Sequence, residues 1–318
     1  MFRNSAAATN TGGWRAALGL AQSLRNEQVD SDESGEPGIP LSDRPEVVEA
    51  LTTLLRESLA SNSTLEEDFK HQEFLARTMG SLNGDELVMP VLAEVLKKNY
   101  PETQGEGDHR AVHKSALMAL AMIAGRKFES RSGSPAEKPD EAATGSSAAG
   151  TMLETPTIDN AAVAEQLRLA AQDSDPSIRH LAAYVLGLVS GPDAIRQLRV
   201  MLLDGDRMTQ ANAAVALARN GQHDGVATFS RLLATAAEPM DRAEFAALSP
   251  EDQQRVLAEQ SFEEPIILRN TIRAVGSLWN DISDEDRVQL TASLQKLADN
   301  HSAADIRLQA RKLLDEAP

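Results

Sequence analysis

The 318-residue chain is 42% hydrophobic but only 3% aromatic, so Ala and Leu must build much of its core, a bias toward closely packed helices rather than sheets. It has no cysteine, which excludes disulfides, zinc–thiolate centres and cysteine nucleophiles. Its 31 Lys and Arg against 48 Asp and Glu leave a net charge of −17, which argues against a phosphate-binding surface and hence against nucleic acid as a general partner.

The opening stretch, "MFRNSAAATNTGGWRAALGLAQSL", lacks a charged head followed by an unbroken apolar run, and no signal peptide is read there. Residues 12–26 pattern as the second helix of a hairpin without its first: Ala16, Ala17, Leu20 and Ala21 align with Ala182, Ala183, Leu186 and Gly187 further on. Residues 27–42, "EQVDSDESGEPGIPLS", are acidic and rich in Gly, Pro and Ser, which predicts a flexible loop. Between 43 and 128 the apolar spacing predicts two irregular hairpins, with helices near 45–59 and 65–82, then 86–99 and 109–126. The longest apolar runs, such as "SALMALAMIAG" at 115–125, are too short to span a bilayer, so no direct membrane insertion is expected. Residues 129–157 hold almost no large apolar side chain and predict a disordered linker, the first place a protease should cut.

From 158 to the end the pattern becomes regular. In "DSDPSIRHLAAYVLGLVSG", residues 173–191, Asp175 is placed to cap a helix by accepting from the Ile178 amide, with Pro176 at the first helical position. Ile178, Ala182, Val185, Leu186 and Val189 fall on one face, and Gly191-Pro192 ends the helix. A similar stretch, "DGDRMTQANAAVALARNG", follows at 204–221, a step of 31 residues from Ala182 to Ala213. The small residue recurs at Ala116, Ala213, Thr271 and Ala310, with Leu75 as the weakest match. The large apolar one at Leu186 recurs at Met79, Leu120, Leu217, Val275 and Leu314. Gly80, Ala121, Gly187, Ala218 and Gly276 follow it, letting neighbouring helices approach, and Asp315 ends the column as a polar cap. Further hairpins are therefore predicted with helices near 159–173 and 176–190, 192–204 and 207–219, 223–234 and 266–280, and 284–299 and 303–315. An insertion at 235–265 interrupts the third of these, with a capping box at Ser249–Asp252 and with Phe245, Leu248, Val256, Leu257 and Phe262 to pack it. One hairpin cannot bury its apolar face but a stack can, which predicts an all-α solenoid.

The stretch "DSDPSIRHLAAYVLG" resembles a HEAT repeat of the short bacterial, phycobilisome-lyase-like kind, in which an Asp ends the first helix and a Val/Ile-Arg pair opens the second. Asp173 with Ile178-Arg179 matches in full; the last copy keeps Ile306-Arg307 but has His301 for the Asp, and the copy at 204 keeps Asp204 but has Thr209-Gln210. The resemblance covers most of 45–316, strongly at 159–221 and 284–316. It implies a right-handed α-α superhelix of HEAT/armadillo-like type whose second helices line the concave side. The start of the chain resembles the region just beyond the membrane anchor of some uncharacterised bacterial HEAT proteins. That alternative would hold it on the cytoplasmic side of a membrane through an anchor outside this sequence.

Catalytic signals are sparse. The iron hydroxylases built of HEAT repeats carry His-Glu pairs, whereas here the six histidines precede Gln72, Arg110, Lys114, Leu181, Asp224 and Ser302. His109 and His113 have metal-ligand spacing but no third ligand nearby, so no metal site is assigned. Phosphate-cradling Gly loops and Gly-x-Ser-x-Gly elbows are absent, and no cofactor is expected. What remains is a surface strip on the second helices: His180, Leu181 and Tyr184, with counterparts at Lys114, Ser115 and Met118, then Asn212 and Val215 beside Ala211, then Arg269, Asn270 and Arg273. Neutral to basic on an acidic chain, with an aromatic beside Asn and Arg, it has the composition of a binding hot spot. The expected function is a non-catalytic, cytoplasmic scaffold that binds another protein through its concave face. The alternative is a lyase-like or enzyme-associated HEAT subunit acting on a tetrapyrrole or modified side chain, with nucleic-acid binding third.

Overall fold

The computed structural model describes residues 40–61, 65–99, 109–132, 156–238, 242–258 and 263–316, with isolated helical positions at 19–20 and 22–23 and residue 261. Most of the half-repeat expected at 12–26, and most of the segments 27–42 and 129–157, lie outside these residues. Two edges differ from expectation. Leu41–Asp43 form a turn of 3-10 helix inside the expected acidic loop, and a helix runs on to Ser132, past the expected linker start at 129.

Every regular element among the described residues is helical. The chain divides into two units, residues 1–139 with 157–173, and residues 140–156 with 174–318. In the first, α1 (Pro45–Ala60), α3 (Asp85–Lys97) and α5 (Ala161–Ala170) pack side by side, while α2 (Glu66–Met79) packs on α4 (His109–Ser132). Helix α1 starts on Pro45 and buries Val48, Leu51, Leu55 and Leu59, a 3.6-residue stripe. At Gly80 a Cβ would come within 2.9 Å of the Ala119 backbone, so glycine there lets the end of α2 meet α4. Arg126 of α4 donates to the Gly80 and Leu82 carbonyls at 2.5 and 3.0 Å, closing orphan acceptors at the end of α2.

The second unit is a regular stack. Its second helices α6 (Pro176–Val189), α8 (Arg207–Arg219), α12 (Glu264–Leu278) and α14 (Ala304–Glu316) pack in that order. Of the first helices α7 (Pro192–Met201), α9 (Val226–Ala236) and α13 (Asp284–Asn300), α9 packs on α13. The insertion between α9 and α12 forms α10 (Arg242–Ala247) and α11 (Pro250–Ala258).

The expected apolar faces are the buried ones. Ile178, Ala182, Val185, Leu186 and Val189 are buried, as are Ala116, Ala213, Thr271, Ala310, Met79, Leu120, Leu217 and Val275. A single cluster runs through Phe229 and Leu233 of α9, Leu268, Ile272 and Val275 of α12, Leu294 of α13 and Ile306 of α14.

Three local details differ from the sequence reading. The Asp175 carboxylate accepts from the Ser177 amide at 2.8 Å and its hydroxyl at 2.6 Å rather than from Ile178, because the N2 amide already lies in reach. Ser190 rather than Gly191 is the first residue to leave α6, with φ of 63°, and Gly191 follows at 87°. In the insertion the Ser249 hydroxyl accepts from the Asp252 amide at 3.1 Å, as a cap should. Yet Leu248 and Leu257 are exposed, Phe245 and Val256 are only half-buried, and Phe262 lies outside the described residues, so the expected packing of the insertion is not made by these leucines.

Polar ties join successive hairpins. Buried Asn220 donates to the carbonyls of Gly187 (2.9 Å) and Ala216 (2.8 Å), and accepts from the Ser190 hydroxyl at 2.6 Å. Arg179 grips Asp204 through two hydrogen bonds of 2.8 and 2.9 Å, its side chain 18% and that of Asp204 12% exposed. This gives a physical reason for the recurring Asp and Arg: the Arg that opens one second helix holds the Asp that ends the next first helix. Arg307, which opens α14, donates back to the His301 and Ser302 carbonyls at 2.6 and 2.9 Å, as Arg179 does to the Ser174 carbonyl at 3.2 Å.

Burial pushes the Asp204 carboxyl up, but hydrogen bonds from Arg179 and the Asp206 amide outweigh it and hold the group below the ordinary carboxylate range. A depressed folded-state value adds stability above the unfolded value of about 3.9, and that contribution is lost as pH falls through the folded one. Arg179→Met should therefore cost about 1.5–3 kcal/mol at pH 7. In urea titrations the gap from the parent should begin to narrow as pH falls below about 3.9 and shrink further as it passes through the lowered value of folded Asp204. A gap independent of pH would assign the loss to packing rather than to the ion pair.

Candidate partner-binding face

Tyr184 is the aromatic side chain that α6 leaves 40% exposed, on a helix whose other large apolar residues are buried or half-buried. Its ring is met by Arg219, the last residue of α8, whose Cζ lies 5.5 Å from the ring centroid, a cation–π contact. Gly187 lets the two helices approach: a Cβ there would lie 2.4 Å from the Ala216 Cβ, so its absence lets α8 close on α6, while Arg219 Nη1 at 3.6 Å would be in ordinary contact with it. Burial pushes the Arg219 guanidinium below its ordinary range; the Tyr184 phenol opposes this, and the charge of Arg273 on α12 adds to it. Tyr184, Arg219 and Arg273 thus come from three successive second helices.

The other expected strip residues divide. Arg273 is exposed beside this cluster. Asn212 donates to the His180 carbonyl at 3.0 Å and so ties α8 to α6. His180, Leu181 and Asn270 are half-buried, and half-buried Val215 packs on the core cluster. Arg269 is paired with Asp305 of α14 at 2.8 Å, and that hydrogen bond holds the Asp305 carboxyl below the ordinary range. Ala211 and Ser115 do not face outward as aligned: Ala211 is buried with Leu232 and Ile267, and Ser115 is buried on α4, where Lys114 and Met118 are half-buried. Arg219 was not in the expected strip. Its column-mates are Ser81, Met122, Leu188, Ser277 and Glu316, so nothing in the repeat pattern marks this position for a guanidinium.

Two cavities lie elsewhere in the second unit. One of about 190 Å³ is lined by Gly205, Arg207, Gln210, Arg231, Leu232 and Thr235, and one of about 490 Å³ lies beside Trp279 and Arg287. Neither lining pairs a nucleophile with a base. His113 Nε2 lies 3.1 Å from the Lys98 carbonyl, and the His109 side chain is outside the described residues. Among the described residues no group of three or more His, Asp or Glu could hold a metal ion, and no helix is long and apolar enough to cross a membrane.

Residues 164–249 match a family model described as HEAT repeats. Together with the stacked hairpins, this defines the class: an all-α repeat solenoid of HEAT/armadillo-like type. No curated protein matches the chain. Among solved structures it is similar to an engineered protein at 20% identity, covering 84% of this chain and 95% of that one with a TM-score of 0.37. A designed armadillo repeat protein aligns at 13% identity over 94% and 98% of the two chains, with a TM-score of 0.37. Human deoxyhypusine hydroxylase in complex with glycerol aligns at 16% identity over 96% of each chain, with a TM-score of 0.30.

Proposed function

We propose that the chain is a non-catalytic α-solenoid scaffold that binds another protein through the face formed by α6, α8 and α12. The observation that carries this reading is Tyr184, an aromatic kept at the surface with a guanidinium stacked on it. Tyr and Arg are the residue types in which binding energy concentrates, because they bury large area and still make directed polar contacts. The Asp204–Arg179 tie supports reading the repeats as the short phycobilisome-lyase-like kind; it is a packing device and carries no lyase chemistry.

Immobilised protein exposed to native lysate of its source organism at modest salt should retain a discrete protein partner. Titration with that partner should then show Tyr184→Ala weakening affinity by more than about 1 kcal/mol, roughly fivefold, without loss of helicity. Arg196→Glu on α7, an exposed first-helix position paired with Asp193 at 3.0 Å, should have a smaller effect. Equal affinities for the parent and Tyr184→Ala would move the binding site off this face, with the 242–258 insertion next to be tested.

A further inference from the structure

The layer that carries Tyr184 has a charge opposite to that of the chain. Helices α6, α8 and α12 hold Arg179, Arg207, Arg219, Arg269 and Arg273 against one acid, Glu264, in a protein of net charge −17. Three of these cations are already matched: Arg179 by Asp204, Arg207 by Glu264 and Arg269 by Asp305. Arg219 and Arg273 are different, since among the described residues neither forms an ion pair. Arg219 has the Tyr184 ring as its cation–π partner and Arg273 stands exposed on the next helix, yet in a chain with 48 acidic side chains neither guanidinium is matched by a carboxylate among the described residues.

We propose that Tyr184, Arg219 and Arg273 receive a carboxylate-bearing segment of the partner protein, an acidic peptide laid across α6, α8 and α12. This rests on the reading of that face as the partner-binding one, and adds what the partner must bring. Each guanidinium presents paired N–H donors that match a carboxylate, so Asp or Glu side chains would replace the missing counter-charges and remove the repulsion between the two arginines. The Tyr184 ring, already covered on one side by Arg219, offers apolar area to the peptide's other side chains and a hydroxyl to its backbone. A peptide fits better than a nucleic acid, because one tyrosine cannot provide the ladder of stacking platforms that single strands use.

The direct test is fluorescence anisotropy with a labelled deca-glutamate peptide and the full chain near 0.1 M salt. The peptide should bind despite the net repulsion, and binding should weaken as salt rises. Arg219→Gln combined with Arg273→Gln should weaken it by about tenfold or more with unchanged circular dichroism, whereas Arg196→Gln should not. No binding, or equal binding by the double variant, overturns the proposal, as does tighter binding of a ten-residue oligothymidylate. The partner retained from lysate separates this from the broader reading. If Tyr184→Ala weakens it and the double glutamine variant does not, the face binds a protein by other contacts and only the acidic-segment inference falls. If neither variant weakens it, both fall.

Discussion

Phe229→Ala is expected to destabilise the protein by about 3–5 kcal/mol. Phe229 is fully buried in α9, in the cluster that also takes side chains from α8, α12, α13 and α14. Removing the ring therefore loosens three hairpins at once. The gap cannot close easily, because Ala214, Ala218 and Ala310 in the same cluster carry only a methyl group, which has no rotamer that could extend into it. On a thermal melt followed by circular dichroism, the loss should lower Tm by roughly 10 °C or more. A shift of a degree or two would mean that α9 does not sit against α12 and α13 as described.

Leu217→Ala should cost about 2–5 kcal/mol, and Leu186→Ala a similar amount. The two leucines hold the same place in the repeat on α6 and α8, helices that pack directly on one another, and both are buried. Their neighbours in the next position, Gly187 and Ala218, are small, and the Gly187 backbone already lies against Ala216. Closer approach of the helices to fill a cavity is thus blocked by backbone rather than by a movable side chain. Chemical denaturation of the single variants measures each cost. An unchanged midpoint for both would show that these helices turn another face inward.

The repeat was legible because its signals are redundant. A capped start at Asp175-Pro176, a stripe at 178, 182, 185, 186 and 189 and a small residue at 187 must all agree for helices to stack, and each is visible in sequence. The arrangement of the expected strip was legible only in part, since it depends on what reaches each residue from the next hairpin. Tyr184 and Arg273 are exposed as aligned, but nothing in the sequence pairs Arg269 with Asp305, a partner 36 positions away. Arg219 escaped notice because its column elsewhere holds Ser, Met, Leu and Glu, and its contact with Tyr184 reaches across from the next helix. The insertion misled for the opposite reason: its apolar residues suggested a packed helix, yet Leu248 and Leu257 stay at the surface.

Hydroxyl-radical footprinting of the complex with the captured partner tests most directly whether the second-helix face is where this protein binds. Tyr184, exposed and readily oxidised in the free chain, should be protected in the complex. Val200 and Leu203, at and just beyond the end of α7, and Val288 on α13 are at least 60% exposed and should be modified at the same rate with and without partner. Protection of those three residues with Tyr184 unchanged would contradict the assignment of the binding face.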